Sequence, residues 1–290
     1  MHSEELFNTQ KQWAEKGLFL MRELLPLMAP IGTYEGWRQE ERGTIGKLLS
    51  ASARSTESAL LLMAYGQLWD AEVLIRSVFE STLKFAYLIQ SHDTFKDRYR
   101  EFADEQPEII ALQDDRKARQ LMDAIQEPEA DSWRPIRDMV LPNEEREELA
   151  SRYSKKYRRQ MDMKWGYGGM LNSLSNSADT LFANFTGLSY GYSVASHIHH
   201  ADFVGISVPL DRDRHSPERR DAVHLAHLAR LISDCFSCFE IRLSSGYRFV
   251  EGDRSKAEYA ITRIKDLLTE LESAHEFWLD MEYGDTKGCS

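Results

Sequence analysis

The sequence predicts an all-α fold, a bundle of long helices, and three observations predict it. Apolar residues recur at three- and four-residue spacing almost throughout, as in EELFNTQKQWAEKGLFLMRELLPLM (4–28), the signature of a helix with one buried face. No turn dipeptide flanked by alternating strand patterns occurs. Eight Pro and 16 Gly in 290 residues are too few for a loop-rich or disordered chain.

Taken in order, the first helix covers 4–28 and ends at Pro30 and Gly32. The next runs from about Trp37 to Leu68 and contains KLLSASARSTESALLLMAYG. LWDAEVLIRSVFESTLKFAYLI (68–89) follows so closely that an antiparallel helical hairpin is the natural connection. Between His92 and Trp165 charged residues dominate, and Pro107, Pro128, Pro135 and Pro142 punctuate the segment. It holds few large apolar residues, so 92–165 is expected to be a charged peripheral helical insertion within a single domain spanning 1–290. Within it, LPNEEREELASRYSKKYRR reads as a helix with Pro142 near its start and acids in its first turns. Core helices are expected to resume near Ala178, pass through LSYGYSVASHIHHADF (188–203) and pause over GISVPLDRDRHSPE (205–218). Ser216 then caps a helix with Pro217 at its first position, and SKAEYAITRIKDLLTELESAHEFWLDME (255–282) supplies the last one. No solenoid-type repeat is present.

Composition narrows the function. Hydrophobic residues make up 42% of the chain, with six Trp, 12 Tyr and 13 Phe, enough for a sizeable core. Forty-seven acids against 36 bases give a net charge of −11, which argues against a protein that coats polyanions. Two basic stretches stand against that background, SRYSKKYRRQMDMKW (151–165) and RDRHSPERR (212–220); each is either a solvated face or an RNA-backbone contact. The start lacks the basic and apolar regions of a secretory signal, and no window of ~18 apolar residues occurs, so a cytoplasmic protein without a membrane span is expected. Cys235 and Cys238 form CFSC inside an apolar helical segment without a second ligand pair, and are expected to be buried free thiols; Cys289 is expected to be exposed.

Two places carry polar side chains where a helix should be burying apolar ones. The run 68–89 is apolar around nearly its whole circumference, yet Arg76 and Glu80 lie one turn apart on one face. Burying them is expensive unless they are paired, so they are either an internal ion pair or a cation and a carboxylate aimed into a cleft. The second place is 188–203. At about 100° per residue, Tyr190, Ser193, Ser196, His197 and His200 share an arc of about 120°, with His199 off it and Val194, Ile198 and Ala201 on an apolar flank. If that stripe faces Arg76 and Glu80, a site assembles.

DAEVLIRSVFESTLKFAYLI, followed more than a hundred residues later by YSVASHIHH, resembles an uncharacterised group of bacterial helical proteins, a domain-of-unknown-function family similar to distant relatives of the HEPN superfamily. The resemblance covers roughly 45–90 and 178–240. It implies an HEPN-like helical bundle and metal-independent RNase activity of a bacterial toxin or antiphage type, with the cytoplasmic oligomers and antitoxin-like partner proteins of such systems. The superfamily signature, an arginine followed by four to six residues and a histidine, matches at Arg219–His224 and Arg220–His227; the residues alone also read as an exposed basic helix start beside a core histidine.

Two functional expectations follow. In the first, Arg76, Glu80, His197 and His200 are catalytic: one histidine takes the 2′-OH proton, the other protonates the leaving oxygen, Arg76 stabilises the phosphorane and Glu80 orients it. Tyr190, Ser193, Ser196, Arg219 and Arg220 would then bind the substrate. In the second, the same cluster is the pocket of a non-catalytic helical module that binds a nucleotide, an RNA or a partner protein. Neither uses a cofactor or a metal, although His197, His200 and Asp202 form a conceivable imidazole–carboxylate set. No Gly-rich phosphate loop, Gly-x-Ser-x-Gly elbow or His-Glu-x-x-His helix occurs.

Overall fold

A computed structural model of the chain describes residues 4–182 and 185–284; Cys289 lies outside the described residues. Every regular element among the described residues is helical. The chain divides into two compact units, 1–90 with 173–290, and 91–172.

In the larger unit, α1 (Glu4–Leu24) ends earlier than the periodicity suggests, and a 3₁₀ turn (Leu25–Met28) leads into the short α2 (Ala29–Gly32). The reason is Pro26, whose ring removes an N–H and clashes with the preceding turn; Pro26 and Pro30 instead each start a short helix. α3 (Gln39–Ala64) and α4 (Leu68–Leu88) form the predicted hairpin. Its turn places Gly66 at φ +77°, a backbone region open to glycine, against the side chain of Gln10. α4 buries twelve of its 21 residues, from Leu68 to Leu88, and packs against α3. Phe79 and Phe85 on it are almost wholly enclosed, and truncating either to alanine would cost about 3–5 kcal/mol.

The smaller unit contains α5 (His92–Tyr99), a π-helical turn (Arg100–Glu105), α6 (Gln106–Ala124), the short α7 (Arg134–Arg137), α8 (Asn143–Arg152) and α9 (Lys155–Trp165). Pro142 caps α8, as its position suggests. Both ends of the basic stretch 151–165 are paired inside this unit. Arg152 meets Glu108 and Glu148, Lys164 meets Glu101, and the Tyr153 and Tyr157 hydroxyls donate to Glu108 and Glu105. Burial and the Glu105 carboxylate push the Tyr157 phenol up to about 12.

α10 (Tyr167–Ser175) leads back to the larger unit. There α11 (Leu188–His200) begins ten residues later than expected, and Ala201, at φ 47°, ends it in the left-handed region. The expected pause over 205–218 is instead largely a helix, α12 (Phe203–Asp213), despite Pro209 within it. Asp202 supplies the missing start signal by accepting the Gly205 N–H. Ser216 then caps α13 (Pro217–Phe249) by accepting from the Arg219 N–H, and α14 (Arg254–Tyr283) closes the unit. α13 packs on α4 and α14, and buries the free thiols Cys235 and Cys238. No helix of the described residues is long and apolar enough to cross a membrane.

Candidate functional site

One face of α4 carries Glu72, Arg76 and Glu80, each four residues from the next and so stacked one above another. α11, α12 and α13 bring polar side chains to this ladder, and its two ends are built differently.

At the Glu72 end the carboxylate and the imidazole that meets it are enclosed, and the arginines around them are half-buried. The Glu72 side chain is 0% exposed and takes a bidentate pair from Arg230 on α13, at 2.6 and 2.8 Å. His227 Nε2 donates to the same carboxylate at 2.6 Å, while its Nδ1 accepts from Arg212 of α12 at 2.8 Å. A guanidinium can only donate, so the tautomer of His227 is set by its two neighbours. Arg212 lies 4.5 Å over the Trp69 indole, which also contacts the His227 ring. Burial drives His227 down to about 4 despite the pull of Glu72, so the imidazole is neutral at pH 7. Burial also opposes ionisation of Glu72, but the His227 hydrogen bond and the Arg230 charge outweigh it and hold the carboxyl below its usual range. Burial lowers Arg212 to about 10, leaving it charged at neutral pH. Asp234, paired with Arg230 at 3.0 Å, is pushed up to about 6 by burial.

At the Glu80 end the ladder opens. Arg76 Nε donates to Glu80 at 3.2 Å, and Arg76 Nη1 meets His200 Nε2 at 3.3 Å. The Tyr192 hydroxyl donates to Glu80 at 3.0 Å, and the guanidinium lies 5.4 Å over the Tyr192 ring. Burial and the Glu80 charge raise the Tyr192 phenol. Arg76 is 17% exposed and Glu80 33%, whereas His200 lies at the surface with His199 edge-on to it at 5.0 Å. α11 comes close to α4 through Gly191, where an added Cβ would sit 3.1 Å from Phe79 and 3.3 Å from Asp234.

The structure therefore brings together Arg76, Glu80 and His200, and not His197. His197 turns to Asp202, 2.6 Å away, because the helix ends at Ala201 and the chain bends back. Tyr190 is 72% exposed and Ser193 is also exposed, while Ser196 lies half-buried between Tyr192 and His200 along the inward stripe. Arg219 is held bidentately by Glu282, and His224 by Gln10. Arg220 is half-buried, and its signature partner His227 is locked at the closed end. Among the described residues no group of His, Cys, Asp or Glu has the arrangement of a metal site, His197, His200 and Asp202 included.

Sequence reasoning missed Glu72, Tyr192, Arg212, Arg230 and Asp234, and named His227 only as a signature match or a core histidine. A signal existed for most of them: Glu72 extends the four-residue spacing of Arg76 and Glu80, and HLARLISD repeats charged residues one turn apart on an otherwise apolar helix.

The fold and site together define a class, a helical bundle whose central helix carries a polar ladder sealed at one end and open at the other. The chain belongs to a family of unknown function (DUF5677), whose model matches residues 44–217, more than half of its length. That match runs through 92–165, the segment that carried no resemblance in the sequence. No curated protein and no solved structure matches the chain.

Proposed function

We propose that the chain is a non-catalytic helical module that binds a phosphate-bearing ligand, a nucleotide or a stretch of RNA backbone, at the open end of the ladder. One observation carries this reading: Arg76 is a largely buried guanidinium whose direction is fixed by Glu80 on its own helix and which reaches the surface-exposed His200 on α11. A preoriented guanidinium suits the geometry of a phosphate. His200 beside it adds a second polar group, and the Tyr192 ring supports the guanidinium.

Ribonucleolytic chemistry is the second reading, and one feature favours it. Because Arg76 can only donate, His200 Nε2 is the unprotonated nitrogen, and its lone pair would become free for a 2′-OH proton once Arg76 swings to the phosphate. The binding reading ranks first because His197, expected to supply the second proton, is engaged with Asp202 instead. The likeness to HEPN bundles belongs to this second reading and rests on the sequence resemblance over roughly 45–90 and 178–240. Both matches to its Arg–His signature are engaged elsewhere, through Arg219 with Glu282, His224 with Gln10, and His227 with Glu72.

The test is a titration of labelled single-stranded RNA and of common nucleotides with the wild type, Arg76→Met and His200→Ala, beside a cleavage assay on the same RNA. Binding should weaken roughly tenfold to a hundredfold in Arg76→Met, with the RNA intact. Cleavage abolished by His200→Ala would move the conclusion to the RNase, and no binding of any phosphate ligand by the wild type would remove both readings.

A further inference from the structure

Far along α13 from the ladder, Arg242 places a guanidinium in the hydrophobic core. It is 2% exposed, and its hydrogen bond is a donation to the Thr82 hydroxyl at 2.5 Å. Thr82 donates its own proton to the Val78 carbonyl, so it accepts from Arg242 as a neutral group. No carboxylate of the described residues pairs with Arg242. Burial lowers the guanidinium only to about 10, so it keeps its charge at neutral pH. The nearby thiols cannot balance it, because burial raises Cys235 well above its usual value and Cys238 to about 12, leaving both protonated.

An arginine has five N–H donors, and a buried charge is costly without a partner. Arg242 lines a cavity with Met21, Met28, Leu49, Thr56 and Phe239. The cavity measures about 10 Å³, room for about one water-sized occupant. Two further hydroxyls nearby in sequence, Ser245 one turn from Arg242 and Ser52 one turn from Thr56, are buried without hydrogen-bond partners.

We propose that this cavity is an anion site, in which the Arg242 guanidinium holds one monovalent anion of about chloride size as a structural ligand of the bundle. The room admits one small ion at most, and the single charge follows from the lone cation in a lining that is otherwise uncharged. A divalent oxyanion would be too large and would leave net negative charge buried. A water molecule would fit but would leave the cation unbalanced.

The test is the melting midpoint at constant ionic strength as chloride or bromide replaces gluconate, which is too large to enter. The wild type should rise logarithmically, by about 3 °C for each tenfold of halide above its dissociation constant. Arg242→Met, of similar volume and without charge, should lose this dependence. An equal midpoint in gluconate and halide, or a halide response kept by Arg242→Met, would overturn the proposal. Should that variant fail to fold, wild-type crystals grown in bromide decide the matter. An anomalous peak within hydrogen-bonding reach of Arg242 supports the site, and a cavity holding water or nothing refutes it.

Discussion

The two ends of the α4 ladder use the same residue types for opposite ends. At the closed end a carboxylate, two arginines and a histidine satisfy one another inside the protein, and the His227 imidazole has a partner on each nitrogen. At the open end a carboxylate, one arginine and a histidine meet in a similar order, but His200 lies at the surface and Glu80 is 33% exposed. Residue type therefore does not separate structural from functional here; exposure does. A saturated buried network rigidifies and specifies a fold, whereas one that opens at a surface has chemistry left for a ligand.

The sharpest way to break the comparison is to remove the central carboxylate of each end. Glu72→Gln removes the fully buried carboxylate that pairs with Arg230 and His227, leaving Arg230 only Asp234, and should cost roughly 3 kcal/mol of unfolding free energy. Glu80→Gln, at a partly exposed pair, should cost less than about 1 kcal/mol. Urea unfolding of both variants checks this, and equal losses would show the two ends to be energetically alike.

The next largest effect is in pH, and the signs oppose. His227 titrates near 4 in the folded chain and near ~6.5 unfolded. The unfolded state therefore binds the proton first, and this contribution to stability is complete above ~6.5 and is lost as pH falls toward 4. Asp234 titrates near 6 when folded against ~3.9 unfolded. The folded state holds that proton longer, so its contribution is complete at low pH and is lost as pH rises through 6. Each is worth roughly 3 kcal/mol over its window, so the wild type should be nearly flat between pH 4.5 and 6.5. Asp234→Asn should unmask the His227 slope and lose stability on acidification, and His227→Gln should tilt the other way. Denaturant midpoints across that range measure both, and a flat Asp234→Asn profile would remove His227 as the titrating group.

Much of this was legible in the sequence, for reasons that also explain what was not. Helical periodicity marks which face of a segment is buried, so the class of fold, the buried 68–89 helix with its anomalous Arg76 and Glu80, and the Ser216–Pro217 start of α13 could all be read. Periodicity does not say which partner that face meets. The Glu72–His227 bond joins residues 155 positions apart and depends on how α13 lies against α4. The orientation of the 188–203 histidines depended on where the helix stops. A left-handed Ala201 followed by the Asp202 cap turns His197 away and creates α12, and an alanine gives no warning of that conformation. Pro26 did carry a warning, since it cannot sit in a helix interior without breaking it.

The smallest expected effect tests whether the open end needs the close approach of α11. Gly191 lets that helix pass Phe79 and Asp234, and an alanine there would place its Cβ 3.1 Å and 3.3 Å from them. Two terms oppose in Gly191→Ala. Alanine in a helix gains about 0.5–1 kcal/mol over glycine, while the contacts force α11 outward by a few tenths of an ångström, because a packed ring yields little. Net stability should then change by less than about 1 kcal/mol. The same displacement acts directly on the Arg76 to His200 contact at 3.3 Å and the Tyr192 to Glu80 bond at 3.0 Å, both of which reach across from α11 to α4. Phosphate-ligand affinity should fall severalfold with the melting midpoint almost unchanged, and the Tyr192 phenol should ionise at lower pH as it withdraws from Glu80 and gains solvent. Binding titrations and an ultraviolet phenol titration of the variant read the two effects separately. A variant with native affinity and a native phenol titration would show that the open end tolerates a looser α11, and that Arg76 alone, held by Glu80, makes the site.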